Sequence, residues 1–221
     1  MATGRSPTWF WAHDAQPDQL DSLASPGFRL VRISTYGQGP RRRFAALLHQ
    51  EDGPPRTYEV DLDAAAAQAC TGAVSITVDG QTRFSVVREE GYASRVRVDL
   101  SEAEARTLTD VADIAMYMVG RTRRYAVVQD GRASQVLMGA TMSELKTQLR
   151  RLSAIPFRLR DDAGPWFTAV VEPGGRARWS WYAGIDADEV AEELHRHHAH
   201  PVDLDAVASS EGVTFTVIMY R

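Results

Sequence analysis

Arg43-Phe44-Ala45-Ala46-Leu47 returns, altered but recognisable, as Arg83-Phe84-Ser85-Val86-Val87, Arg124-Tyr125-Ala126-Val127-Val128, Trp166-Phe167-Thr168-Ala169-Val170 and Thr214-Phe215-Thr216-Val217-Ile218. The aromatic residue stands at positions 44, 84, 125, 167 and 215, a spacing of 40 to 48 that divides the 221 residues among five copies. A period of this size marks a repeat architecture, in which no unit buries its apolar face alone and neighbours must stack. Shape is therefore more legible here than chemistry.

Working outward from Phe84, residues 74–78 alternate apolar and polar, Asp79-Gly80 follows, and 83–87 alternate again. Asp-Gly between two alternating runs is a strong hairpin signal. A third run spans 95–98, and Ser101-Glu102-Ala103-Glu104 then reads as a capping box that opens a helix to about Asp110. Helix starts recur at Asp63, Thr141, Asp186 and Gln16, the last with Pro17 in its first turn. Loop residues Gly53-Pro54-Pro55, Asp130-Gly131 and Pro173-Gly174-Gly175 punctuate the strands.

The unit is thus strand, strand, strand, helix, with four copies over about 29–72, 73–113, 114–154 and 155–200. Residues 201–221 supply two strands, and residues 8–26 supply a strand and a helix. The reading predicts an α+β protein of five βββα repeats closed into a propeller-like toroid, a single domain over 1–221. In it the C-terminal two strands pair with the N-terminal strand to make the fifth unit, removing an exposed edge. Helices are expected on the outside. Strand two begins with arginine and strand three ends near aspartate, which predicts rim ion pairs Arg43–Asp61 and Arg83–Asp99.

Trp9-Phe10-Trp11-Ala12-His13, Pro17 to Leu23, Gly27-Phe28-Arg29-Leu30-Val31, Tyr36, Gly39 and Arg43-Phe44-Ala45-Ala46 together resemble the bacterial tandem repeat found ahead of the catalytic domain in polyglycine hydrolases. The likeness is best over 9–47, recognisable around 121–190 and loose elsewhere. It implies the repeat fold and a binding role. The family's peptidase activity belongs to a separate domain similar to serine β-lactamases, for which this chain has no room.

At 44% hydrophobic and 24% charged the sequence reads as globular. It has no run of roughly 20 apolar residues, and Met1 to Pro7 lacks a signal-peptide apolar region. A cytoplasmic protein without a membrane partner is expected. Its basic residues are 24 arginines and Lys146, but a net charge of −4 leaves no positive field for a phosphate backbone, so no nucleic-acid partner is expected. Cys70, the one cysteine, sits among alanines and reads as a small buried apolar residue.

Catalytic motifs are weak. Ser143-Glu144-Leu145-Lys146 matches S-x-x-K but falls in a repeated helix and lacks a Lys-Thr-Gly partner. His195, His197, His198 and His200 cluster at a helix end, where partial positive charge suits the dipole. No metal and no cofactor are expected.

The first strands carry the better lead. Apolar residues flank a central position that faces the other way, occupied in turn by Arg32, Ser75, Tyr117, Arg158 and Asp203; two residues on, the same face carries Arg160 and Asp205 in the last two units. If these strands are innermost, the seven residues converge on the axis as a polar, asymmetric ligand pocket, or pair with one another and fill the hole. Trp9, Trp11, Trp166, Trp179 and Trp181 form a second candidate, an aromatic sector for stacking on a ligand, unless they pack beneath the helices. The function these features favour is a non-catalytic recognition protein for a small molecule, glycan or peptide. The alternatives are an acid–base enzyme of cyclase or isomerase type in secondary metabolism using the axial Arg, Tyr and Asp, and a structural module for a protein partner.

Overall fold

The computed structural model describes residues 8–23, 27–162, 165–174 and 178–220. The expected loop residue Gly175 and residues 24–26 and 221 of the expected fifth unit lie outside that set. Among the described residues the chain forms fifteen strands in five three-stranded antiparallel sheets. Sheet 1 holds β1 (Trp9–Ala15), β2 (Arg29–Tyr36) and β3 (Arg43–His49), with α1 (Leu20–Leu23) between β1 and β2. Sheet 2 repeats this with β4 (Arg56–Leu62), α2 (Ala64–Ala69), β5 (Ala73–Val78) and β6 (Phe84–Glu89). In sheet 3 the elements are β7 (Arg95–Leu100), α3 (Glu102–Arg106), β8 (Val111–Val119) and β9 (Thr122–Gln129). β10 (Gln135–Ala140), α4 (Met142–Leu152), β11 (Ile155–Asp161) and β12 (Phe167–Glu172) make sheet 4. β13 (Trp179–Ile185), α5 (Ala187–His197), β14 (His200–Ser209) and β15 (Gly212–Tyr220) make sheet 5.

The chain order of three strands and a helix repeats as expected, and the helices start where their caps predict. Asp63, Ser101, Thr141 and Asp186 each accept a backbone N–H in the first turn, and the Glu104, Glu144 and Glu189 carboxylates return the bond. The third strand in each sheet by sequence is the central one, flanked by the other two. Its residues are apolar on both faces: Phe44, Ala45, Ala46, Leu47 and Leu48 are all fully buried.

The expected pairing of the termini is overturned. β1 pairs with β3 and β15 with β13 and β14, so the N-terminal strand is not zipped to the C-terminal two. A periodic sequence fixes the order of elements but not where the sheets cut it; the helix after each flanking strand carries the chain back onto that strand's own sheet. The rim pairs shift accordingly. Arg43 reaches Asp14 and Arg124 reaches Asp99 within their sheets, while Arg42, not Arg43, pairs with Asp61 across sheets.

The helices sit over the sheet boundaries, each with one face buried and the other exposed. Each buries its apolar face together with its own sheet and the next. Leu20 of α1 packs with Phe44 and Leu48 of sheet 1 and Val74 and Val87 of sheet 2. Ala67 and Ala105 sit likewise between sheets 2 and 3 and sheets 3 and 4, and Leu145 and Leu149 between sheets 4 and 5. Val190 and Leu194 of α5 pack with Phe215 and Val217 of sheet 5 and with Trp11, Tyr36 and Leu47 of sheet 1. The two ends of the chain therefore touch through side chains: the Trp11 and Phe215 rings meet edge to face at 5.7 Å.

At this same boundary His49 Nε2 lies 2.7 Å from the Pro201 carbonyl, and its ring is 4.2 Å from that of His200. Burial, aided by the neighbouring His200 and Arg56, pushes the His49 imidazole down to about 4 from 6.5, against the pull of the Pro201 carbonyl. The folded state then binds fewer protons than the unfolded chain below pH 6.5. Its contribution to stability is intact above that pH and is lost as the pH falls toward 4. Thermal denaturation of the wild type and of His49→Gln between pH 7 and 4 checks this, since the difference between them removes the titrations they share. The wild type should lose more stability on acidification than the variant, and parallel curves would contradict the assignment.

Candidate functional site

In all five sheets the strand after the helix carries a bulge beside its pairing with the central strand, between Leu30 and Arg32, Ala73 and Ser75, Val111 and Asp113, Pro156 and Arg158, and Pro201 and Asp203. The residue past the bulge is the polar one. These strands, β2, β5, β8, β11 and β14, are linked in succession by hydrogen bonds. Arg32 donates to Ser75 Oγ (2.6 Å), Ile76 N to Asp113 Oδ2 (2.8 Å) and Arg160 Nε to the Ile114 carbonyl (3.1 Å). Leu159 N donates to Asp203 Oδ2 (2.9 Å), and Ala206 N to Ser34 Oγ (2.9 Å).

At their meeting point lies a layer of buried charge. Arg32 and Asp203 are each 1% exposed, Asp113 0% and Arg160 4%. Arg160 donates Nη2 to Asp113 and Nη1 to Asp203, both at 2.6 Å, while Arg32 Nη1 bonds to Asp113 and its Nε lies 3.7 Å from Asp203. Arg158 adds a third guanidinium 3.6 Å from Asp113. Burial opposes ionisation of Asp113, yet Arg32, Arg160 and Arg158 hold its carboxyl well below the usual carboxylate range. Burial likewise opposes the charge on Arg160, which Asp203 and Asp113 restore in excess. Arg32 is the strained member: burial and the like charge of Arg160 push its guanidinium down. Unlike charges from sheets 1, 3, 4 and 5 thus pair with one another, the second of the two arrangements the sequence allowed, and do not line an open pocket.

Of the seven residues expected at the axis, Arg32, Ser75, Arg158, Arg160 and Asp203 belong to this layer, and Asp205 stands beside it, accepting from Ser34 Oγ at 2.8 Å. Tyr117 does not join them. It packs edge to face on Phe84 at 5.5 Å, and its Oη accepts from the backbone N of Asp99, a residue at φ 60° in the bulge of β7. Asp113 takes its place. Alternation alone aligns Met116-Tyr117-Met118 with the other strands, but the helix caps align differently: twelve residues separate Asp63 from Ser75, and twelve separate Ser101 from Asp113.

Beyond the charge layer, toward the ends of these strands, opens a cavity of about 820 Å³, within the range of small-molecule sites. Arg160, Asp205 and Tyr117 border it; Arg32, Ser75, Arg158 and Asp203 do not. Its wall also carries Thr77, Met116, Val207 and Asp162, with Arg41 and Arg43 on the side of sheet 1, so apolar, acidic and basic groups share it. Asp162 is a functional candidate that sequence reasoning missed. It is 3% exposed, and burial pushes its carboxyl up to about 7, with Thr168 Oγ1 donating to it at 2.6 Å in partial compensation.

The tryptophans divide between two packing layers. Trp9 and Trp11 lie with α5 between sheets 5 and 1, and Trp179 and Trp181 with α4 between sheets 4 and 5, where Lys146 Nζ sits 5.5 Å from the Trp181 ring centre. Trp166, at 37%, is exposed in the hairpin before β12. The histidine run is absorbed locally, with His198 capping α5 at φ 46° and His197 Nε2 2.8 Å from Tyr182 Oη. No group of three potential metal ligands occurs among the described residues. Cys70 is buried, which pushes its thiol up.

Comparison of the sequence with protein-family models and with curated proteins gives no match. Among the described residues no helix is long and apolar enough to cross a membrane.

The charge layer makes a quantitative distinction between Asp113 and Tyr117. Asp113→Ala leaves Arg32 and Arg160 buried with one carboxylate fewer and should cost about 3–5 kcal/mol in urea denaturation. Tyr117→Phe loses one hydrogen-bond acceptor and should cost about 1–2 kcal/mol. The reverse order would return Tyr117 to the axis.

Proposed function

We propose that the five sheets form a closed, propeller-like ring and that the protein is a non-catalytic recognition module, binding a small molecule, glycan or peptide in the cavity at one end of its axis. Ring closure is supported by the succession of hydrogen bonds that runs from β2 through β5, β8, β11 and β14 back to β2, and by five apolar clusters, one at each sheet-to-sheet boundary. The observation that carries the binding reading is the 820 Å³ cavity set on a plugged axis. A polar floor that is already internally paired gives a rigid base, while the wall offers unlike groups at a mouth open to ligand. The resemblance to the repeats of polyglycine hydrolases fits the same role.

A second reading, an acid–base enzyme of cyclase or isomerase type, is favoured by one observation: a carboxyl bordering the cavity whose burial brings its titration to about pH 7. That reading transfers the chemistry from the axial Arg, Tyr and Asp, engaged in the charge layer or in the β7 bulge, to Asp162.

A thermal-shift screen against sugars, short peptides, acidic metabolites and amines, run on the wild type and on Val207→Trp, tests the binding site. The added indole should fill the cavity and abolish the shift given by any binder, while the unliganded melting temperature stays within a few degrees. A binder whose shift survives the substitution would place the site elsewhere.

A further inference from the structure

The charge around the cavity is not evenly satisfied. Three cations border it: Arg160 is engaged by Asp113 and Asp203 beneath the floor, Arg43 Nε lies 3.6 Å from Asp14, and Arg41 is exposed in the β2–β3 connection on the opposite side of the cavity. On the side formed by sheets 4 and 5 the wall carries Asp161, Asp162 and Asp205. Asp162 is 97% buried in the sense that only 3% of its surface is exposed, yet only one of its carboxylate oxygens is used. Oδ2 accepts from Thr168 Oγ1, while Oδ1 has no hydrogen-bond partner among the described residues. Its backbone N–H is spent on the Trp166 carbonyl, which fixes its backbone in the connection between β11 and β12. A buried acceptor without a donor is rare in folded proteins and points to a missing partner.

We propose that the cavity takes an organic cation whose ammonium or guanidinium N–H donates to Asp162 Oδ1. The inference deepens the binding reading above and rests on it. At Asp162 a cation fits where an anion or a neutral sugar does not, because the neighbouring aspartates repel the first and the second brings no charge to the buried carboxyl. The groups that act on Asp162 are its neighbour Asp161 at the end of β11, Asp205 from β14 and Arg123 and Tyr125 from β9. Burial and the two aspartates favour its neutral form, and Arg123 and the Thr168 bond only partly offset them. A bound cation reverses that balance, so binding releases a proton and strengthens as the pH rises through 7.

Isothermal titration calorimetry of the intact chain with agmatine, putrescine, succinate and maltose, at pH 8 and pH 6, decides the matter. At least one of the two amines should bind, at least 10-fold more tightly than succinate or maltose, and should lose ~10-fold in affinity from pH 8 to pH 6, following the ionised fraction of a group titrating near 7. Asp162→Asn should weaken amine binding by ~10-fold or more. Should that variant fold poorly, carboxyl ¹³C NMR of the wild type gives the same answer: saturation with putrescine should lower the Asp162 midpoint. Binding of succinate or maltose without amine binding would overturn the cation assignment while leaving the pocket. Amine binding unaffected by Asp162→Asn, or an unmoved midpoint, would overturn the anchor. No binding by any of the four would overturn the cation assignment, and a blank across the broader thermal-shift screen would take the pocket with it.

Discussion

Two carboxylates, Asp113 and Asp203, lie buried among three guanidinium groups, one from sheet 1 and two from sheet 4, and the positions of the five bulged strands follow from that contact. Removing such charges from water costs several kcal/mol apiece, and mutual attraction offsets it only where geometry is close and the remaining polar atoms are bonded. Arg160 meets that condition: its two Nη atoms reach both carboxylates, and its Nε reaches a backbone carbonyl. Arg32 does not, since its Nε and Nη2 are buried without hydrogen-bond partners among the described residues. A layer of this kind contributes less to stability than an apolar plug of the same volume. What it supplies is order, because an arginine from one repeat fits only against an aspartate from another, and five near-identical units are thereby told apart.

Around that layer the rest is ordinary packing. Each central strand is apolar on both faces, so a sheet is covered on one side by its own helix and the next sheet and on the other by the preceding pair. The helices are short in the first three units and eleven residues long in α4 and α5. Trp9, Trp11, Trp179 and Trp181 fall in the boundaries beside these longer helices and pack there with them.

Repeat number, helix starts and the polar positions of four of the five bulged strands were legible in the sequence, since capping boxes and a regular aromatic carry local signals. Two things were not. The cut between sheets was invisible, because a periodic sequence reads the same wherever it is divided, and only hydrogen bonding shows that β1 belongs with β3. Asp113 was hidden by its neighbours: Ala112-Asp113-Ile114 alternates no better than Met116-Tyr117-Met118, and only the distance to the Ser101 cap separates them. Asp162 gave no signal of any kind, as its burial depends on β9 and β14, far from it in sequence, as well as on Thr168 six residues on.

The proposed ring stands or falls at the boundary between sheets 5 and 1, where among the described residues no strand pairing joins the two sheets and side-chain contacts make the join. Nuclear Overhauser contacts between the Trp11 indole and the Phe215 ring read that boundary most directly, because the two rings lie 5.7 Å apart across residues 204 positions distant in the chain. Strong cross-peaks between them, in the free protein at neutral pH, are the result expected of a closed ring. Well-resolved resonances for both rings with no cross-peak between them would mean an open array, and the charge layer could not then sit on an axis.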